Sequence, residues 1–148
     1  MELNPALLSG LILLALSLAA GVWLKFSTGR GKRVSTHEII DLSKLKVKKG
    51  KSQVKTFGKK ATLLQFSTEY CGQCPGVRRQ LLEFEEQNAG LLYLDVDITD
   101  RLNLAAHFSV SQTPTVFVLD PKGEIKSRIS GIPRPGVIQS ELKKLGAL

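Results

Sequence analysis

The sequence predicts an α/β domain, a mixed sheet flanked by helices, preceded by one N-terminal transmembrane helix. Three observations carry that prediction. The stretch "ALLSGLILLALSLAAGVWL", from Ala6 to Leu24, holds no charge, and at about 1.5 Å per helical residue it approaches the ~30 Å hydrocarbon core of a bilayer. From residue 61 onward, apolar runs of strand length alternate with amphipathic stretches at helical spacing. The 148 residues, less the apolar N-terminus, leave roughly 110–120, enough for one core.

Residues 1–5 form a short tail containing Glu2, and residues 6–26 form the anchor. Asn4 and Pro5 suit a helix cap and first turn, and Trp23 suits the interface at the far end. A cleaved signal peptide is the competing reading, since Ser17, Ala19 and Gly21 are small enough for a cleavage site. Signal peptides carry positive charge before the apolar stretch, however, and the only side-chain charge here is Glu2. A retained anchor is therefore expected. Lys25, Arg30, Lys32 and Arg33 follow the span directly, so the positive-inside rule places the domain on the cytoplasmic side of the cell membrane. The extracytoplasmic side is the alternative, because domains can be translocated past adjacent charge. Residues 27–36, including "STGRGKR", are expected to be a flexible basic tether.

Residues 37–148 are assigned to the domain, with 37–60 lysine-rich: Lys44, Lys46, Lys48, Lys49, Lys51, Lys55, Lys59 and Lys60. In "HEIIDL" the apolar pattern is too short to separate strand from helix. The net charge of +8 is unevenly spread. Residues 1–60 set twelve Lys/Arg against Glu2, Glu38 and Asp41, whereas residues 61–148 set nine against ten acidic side chains. A nucleic-acid reader concentrates charge on its folded module, so no nucleic-acid partner is expected. The lysine run either meets anionic headgroups, at about 1 kcal/mol per well-placed charge, or forms a solvated face.

The remaining elements follow in order. "ATLLQFS" is apolar almost throughout, as a strand covered on both faces requires. Val77, Leu81, Phe84 and Asn88 advance by three or four as a helix, with Leu82 widening the stripe and Gly90 stopping it. "LLYLDVDIT" reads as a second strand. "RLNLAAHF" reads as a short helix with Leu102, Ala105 and Ala106 clustered. "TPTVFVLD" and "EIKSRISG" are two strands joined by the turn "PKG", and "GVIQSELKKL" closes the chain as an amphipathic helix.

Both cysteines lie in "YCGQCP", so no disulfide can staple distant segments and the thiols are free for chemistry. With the strand ending near Ser67 and the helix starting around Cys71, the first sulfur meets unpaired N–H groups at a helix start, where a thiolate is favoured. Cys71 is the attacking sulfur. Cys74, one turn on, is placed to resolve a mixed disulfide. Gly72 permits close approach of a substrate chain, Gln73 occupies the inner position that tunes the potential, and Pro75 fits only a first turn. Arg78 and Arg79 read as solvated surface charges. Zinc is the rival use of such a pair, but tetrahedral zinc takes four ligands and only His37 and His107 are available, neither at ligand spacing. No metal site or cofactor within the chain is expected, and an intermolecular zinc or copper site stays open. Two inert buried cysteines are the remaining reading, ill suited to so polar a segment.

The segments "LLQFSTEYCGQC", "LYLDVDIT", "SVSQTPTVFVLDPKGEI" and "SRISG" together resemble the thioredoxin family over about residues 61–145. The anchor and tether look like those of membrane-anchored bacterial thioredoxin-like proteins. The resemblance implies a thioredoxin-like fold, a cis Thr113–Pro114 peptide facing the cysteines, and substrate pairing by the Thr113 backbone. It also implies that Gly131 lines the same groove and that Tyr70 replaces the usual tryptophan as an aromatic wall. Two positions depart from the family: Gln65 stands where a buried aspartate is usual, and Tyr93 where its companion lysine is usual. The inner dipeptide is Gly-Gln instead of Gly-Pro. The implied function is a membrane-tethered thiol–disulfide oxidoreductase exchanging disulfides or dithiols with protein substrates and served by an unidentified electron donor or acceptor. A non-enzymatic redox-responsive docking or metal-handling module is the alternative.

Overall fold

A computed structural model describes residues 5–34, 38–49 and 52–148. The expected cap at Asn4, the histidine His37 and Lys51 lie outside the described residues. Helix α1 spans Pro5–Ser27, and its segment Leu7–Ser27 is long and apolar enough to cross a membrane. The side chains described along α1 are exposed up to Phe26.

A five-stranded sheet carries the rest, in the order β1 (Gly31–Arg33), β7 (Ile125–Ser130), β6 (Thr115–Leu119), β4 (Ala61–Ser67) and β5 (Leu91–Asp97). Its centre is β4, Ala61–Ser67, in which all seven residues are buried. On one side β4 pairs in parallel with β5, Leu91–Asp97, and on the other it pairs antiparallel with β6, Thr115–Leu119. The antiparallel hairpin continues to β7, Ile125–Ser130. A strand hydrogen-bonded on both edges and covered on both faces has no solvent-facing side to show, which is why "ATLLQFS" reads apolar almost throughout, with Thr62, Gln65 and Ser67 buried as well.

Side chains alternate between faces at the strand period of two. Leu64, Phe66, Leu94, Val96 and Phe117 share one face with Leu42, Leu45 and Phe108. Ala61, Leu63, Leu91, Tyr93, Val116 and Val118 share the other with Val77, Leu81, Ile138 and Leu142. The first face is covered by α2 (Leu42–Leu45) and α4 (Leu102–His107), the second by α3 (Cys74–Gln87) and α5 (Val137–Lys144). Each large side chain so buried contributes about 1.5–3 kcal/mol. A β2–β3 ribbon, Lys48–Lys49 with Ser52–Gln53, lies outside the main sheet.

Three local readings come out differently. Residues 31–33, expected within a flexible tether, form the edge strand β1 on β7, pairing Gly31 with Ile129 and Arg33 with Ser127. Backbone bonds to the open edge of β7 outweigh the poor strand propensity of "GKR", and cations on an edge discourage further strand addition. In α4 the packed residues are Leu104 and Ala105, while Leu102 is 78% exposed. "HEIIDL" resolves into an isolated bridge from Ile39 to Glu124, followed by α2. There the Asp41 carboxylate accepts the Ser43 N–H as an N-terminal cap.

Candidate functional site

The site lies where β4 ends and α3 begins. Helix α3 starts at Cys74, three residues later than expected, because Glu69–Gln73 form turns and the Cys71 N–H is taken by the Thr68 carbonyl at 3.2 Å. The N-cap residue Gln73 supplies no side-chain bond. In its place the Cys71 sulfur accepts the Cys74 N–H at 3.2 Å. The sulfur therefore sits at the positive end of α3 even though its own backbone precedes the helix, and a thiolate there is stabilised by the same field. Pro75 falls in the first turn, where its missing N–H costs nothing.

Cys71 and Cys74 are bonded to each other, with their Cα atoms 5.5 Å apart. Their exposure differs: Cys71 is partly open, while Cys74 is 2% exposed. Solvent reaches the first sulfur and not the second. Gly72 and Gln73 are exposed at the rim, and Tyr70 is 83% exposed beside them. A hydrogen bond with Glu69 raises the Tyr70 phenol above its ordinary pKa, so it stays neutral through the physiological range.

The loop before β6 comes to the same place. Thr113–Pro114 is cis, and the Thr113 and Thr68 hydroxyls are 3.4 Å apart, which ties this loop to the segment leading into the cysteines. Gly131 donates its N–H to the Pro114 carbonyl at 2.8 Å. Its φ of +82° is a left-handed conformation that glycine adopts at little cost. An adjacent cleft of about 380 Å³ is shared by Gly72, Gln73, Pro75 and Ile132. Thus Thr113, Pro114 and Gly131 gather at one loop cluster with Thr68, and Gly72 and Gln73 meet Ile132 across a cleft. Sequence reasoning missed Ile132, which is 51% exposed. An isoleucine between Gly131 and Pro133, outside any apolar period, was the available signal.

Beneath Cys74 the floor is neutral. Gln65 is fully buried on β4, donating to the Cys74 carbonyl at 3.2 Å and accepting from the Tyr93 hydroxyl at 3.0 Å. Burial, followed by the nearby Asp95 charge, pushes the Tyr93 phenol well above its usual range. Asp95 lies on β5 directly opposite Gln65. It accepts from the Ser67 hydroxyl at 2.5 Å and pairs with Arg78. Arg78, expected to be a solvated surface charge, is about half exposed and is also partnered, and both groups line an open cavity of about 420 Å³ with Tyr93. Among the described residues no cluster of three His, Cys, Asp or Glu side chains is arranged to hold a metal. His107 is near Glu38, at 3.5 Å, at the end of α4.

The comparisons with known proteins agree on one family. The sequence matches the thioredoxin family over residues 41–144. It is 31% identical to the thioredoxin of Ovis aries over 74 residues, covering 50% of this chain and 70% of that one. It is 28% identical to the H-type thioredoxin of Populus jackii over 76 residues, 51% of this chain and 54% of that one, so the chain spans about half the length of this relative. Among solved structures, thioredoxin f from spinach chloroplast (short form) superposes with a TM-score of 0.53 at 18% identity, covering 60% of this chain and 79% of that one. Fasciola hepatica thioredoxin superposes at 0.50 and 18% identity, covering 59% and 82%. At those identities the structures establish the fold alone. The sequence match covers more than two thirds of the chain and includes the bonded Cys71–Cys74 pair: the chain belongs to the thioredoxin family.

Proposed function

We propose that this chain is a membrane-tethered thiol–disulfide oxidoreductase that exchanges disulfides with protein substrates through Cys71 and Cys74. The observation that carries the reading is the Cys71 sulfur, partly open to solvent and held by the Cys74 N–H at the start of α3. In the reduced pair, the Cys71 thiolate attacks one sulfur of a substrate disulfide. That bond breaks, and the departing substrate sulfur takes a proton from solvent. Cys74 then gives its proton to solvent and attacks the Cys71 sulfur, expelling the second substrate sulfur, which takes up a proton in turn and leaves the Cys71–Cys74 bond behind. Two electrons and two protons pass to the substrate, and a dithiol or other electron donor resets the pair; run backwards, the same steps oxidise a substrate dithiol.

Substrate binding falls to the surface around the pair. The Thr113 backbone, beside the cis bond, offers an extended substrate chain a hydrogen-bonding edge. Gly131 leaves room for that chain, and Tyr70, Gly72, Gln73 and Pro114 border it. Membrane tethering rests on α1, and it raises the local concentration of membrane-proximal partners. The cations that follow α1 favour the cytoplasmic side.

Replacing Cys74 tests the reading. Cys74→Ser in the full chain is expected to accumulate mixed disulfides through Cys71 that are released by added dithiol. A docking or metal-handling module would yield no covalent partners, and that result would replace the exchange reading. Protease added to intact cells is expected to leave the domain whole, and cleavage there would reverse the sidedness.

A further inference from the structure

The junction between α1 and the domain forms a further pocket, of about 240 Å³. Thr28, Arg30 and Lys32 line one side of it, and Gln112, Arg128 and Ser130 the other. Among the described residues, three cations line this space and no carboxylate does. Arg128 is held in place: its guanidinium donates to the Phe108 and Ser109 carbonyls at 2.6 and 3.0 Å and lies over the Phe117 ring. The acidic group nearest in effect to Arg128 is Glu38, which is outside the pocket lining. Arg30 and Lys32 are exposed.

The pocket also has a fixed height relative to α1. Only residues 28–30 separate α1 from β1. Within them, the Gly29 N–H donates to the Ser130 carbonyl at 2.8 Å, and the Gly29 carbonyl accepts the Arg134 N–H at 3.2 Å. The Arg134 side chain reaches back to the Lys25 carbonyl at 2.9 Å and lies over the Phe26 ring. These contacts brace the domain against the last turn of α1. The polar headgroup layer on each side of a bilayer is about 5–7 Å deep. A pocket that begins one residue beyond the apolar span lies within that layer.

We propose that this pocket binds the phosphate of an anionic membrane lipid, a reading that rests on α1 spanning the bilayer. Phosphate oxygens accept from guanidinium and ammonium groups, and the Gln112 amide and Ser130 hydroxyl add neutral donors. A lipid is favoured over a soluble phosphate because the span delivers the pocket to a surface where lipid phosphate is concentrated. Gln112 directly precedes Thr113, so a bound headgroup also abuts the loop that borders the cysteines.

Trp23, the only tryptophan, is 70% exposed and one turn before the pocket, which makes it a reporter in the full chain. The chain is reconstituted in vesicles containing equal mole fractions of dibrominated phosphatidylcholine or dibrominated phosphatidylglycerol, and Trp23 quenching is compared. The anionic lipid is expected to quench as though enriched about fivefold, the scale of one well-placed cation at an anionic surface. Arg30→Gln/Lys32→Gln should remove most of that enrichment. The charge-matched Lys25→Gln/Arg33→Gln, which spares the pocket, should remove little. Equal losses from the two double variants, or no enrichment in the native chain, overturn the pocket while leaving the anchor standing. Excess inorganic phosphate, matched for ionic strength with chloride, should not abolish the enrichment; if it does, the site takes soluble phosphate and the lipid assignment fails. Absence of quenching by either lipid overturns the span itself and this proposal with it.

Discussion

The surroundings of the two sulfurs are built on opposite plans. Around Cys71 the surface is open and edged by the uncovered side chains of Tyr70 and Ile132, with the sulfur anchored by one backbone N–H. Below Cys74 the chain is sealed, and a neutral amide and a phenol satisfy each other and the Cys74 carbonyl. An ion pair between Arg78 on α3 and Asp95 on the neighbouring strand β5 lies beside an open cavity. The difference separates two tasks. Backbone dipoles at the helix start favour ionisation of the outer sulfur, whereas the floor fixes the position of the inner one and contributes no titrating charge. Proton traffic at Cys74 is then left to solvent and to groups outside the buried pair.

The floor is the place to break this arrangement most severely. Gln65→Leu keeps the volume close but takes the buried amide away from the Cys74 carbonyl, which keeps its bond within α3, and from the Tyr93 hydroxyl, which borders the open cavity beside Arg78 and Asp95. Two lost hydrogen bonds at about 0.5–1.5 kcal/mol each make a loss of about 1–3 kcal/mol the expected result in chemical denaturation. A loss below about 1 kcal/mol would mean that water already serves these groups. Gln65→Asp sharpens the comparison by making the floor titratable. Burial raises the folded carboxyl pKa above its unfolded value, so between the two the native state holds the extra proton. Stability relative to the native chain should therefore fall as pH rises through that window, by up to about 1.4 kcal/mol per pH unit. A difference that does not vary with pH would contradict a floor sealed from water.

The next effect is smaller and lies on the charged flank. Arg78→Ala removes the partner of Asp95, but Arg78 is about half exposed and Asp95 keeps its bond from Ser67. Solvent screening limits the loss to about 0.5–1 kcal/mol. Raising the salt concentration should narrow the gap between the two proteins, and a gap insensitive to salt would argue for a packing effect of the arginine stem instead.

How far these features could be read from residues alone depends on the range of the forces involved. The strands β4, β5, β6 and β7 and the helices α3 and α5 follow from local periodicity, and the Cys71–Cys74 spacing with Thr113–Pro114 marks the site directly. The substitutions at Gln65 and Tyr93 were visible as departures, but their mutual hydrogen bond depends on the parallel register of β4 and β5, which no local pattern encodes. Strand β1 was hidden for a related reason. Its three residues have no strand character of their own and are ordered by a partner almost a hundred residues away in sequence. The late start of α3 turns on one sulfur acting as a cap, a role ordinarily filled by an oxygen. In α4, six residues are too few for a period to decide which face is buried, and Leu102 was assigned to the wrong one.

The smallest effect separates the support of the open side from its chemistry. Asp97, at the end of β5, accepts both the Thr99 hydroxyl at 2.6 Å and the Thr99 N–H at 2.8 Å. These bonds, the hydroxyl first, hold its carboxyl below the usual range. The Thr99 oxygen in turn accepts the Glu69 N–H at 3.0 Å, two residues before Cys71. A depressed carboxyl contributes stability above its unfolded pKa and loses it as pH falls through the folded value, so this contribution disappears on the acid side. Thr99→Val removes the hydroxyl from both partners but spares the backbone bond. At so exposed a site the expected loss is about 0.5 kcal/mol at neutral pH, shrinking in acid as Asp97 protonates in both proteins. The denaturation midpoints of the two proteins should therefore converge as pH is lowered, and a gap that widened in acid would show that Asp97 is not held ionised by Thr99. Because the same hydroxyl positions Glu69, the variant should also slow attack by Cys71 more than it lowers stability. Equal effects on the two would assign Thr99 to folding alone.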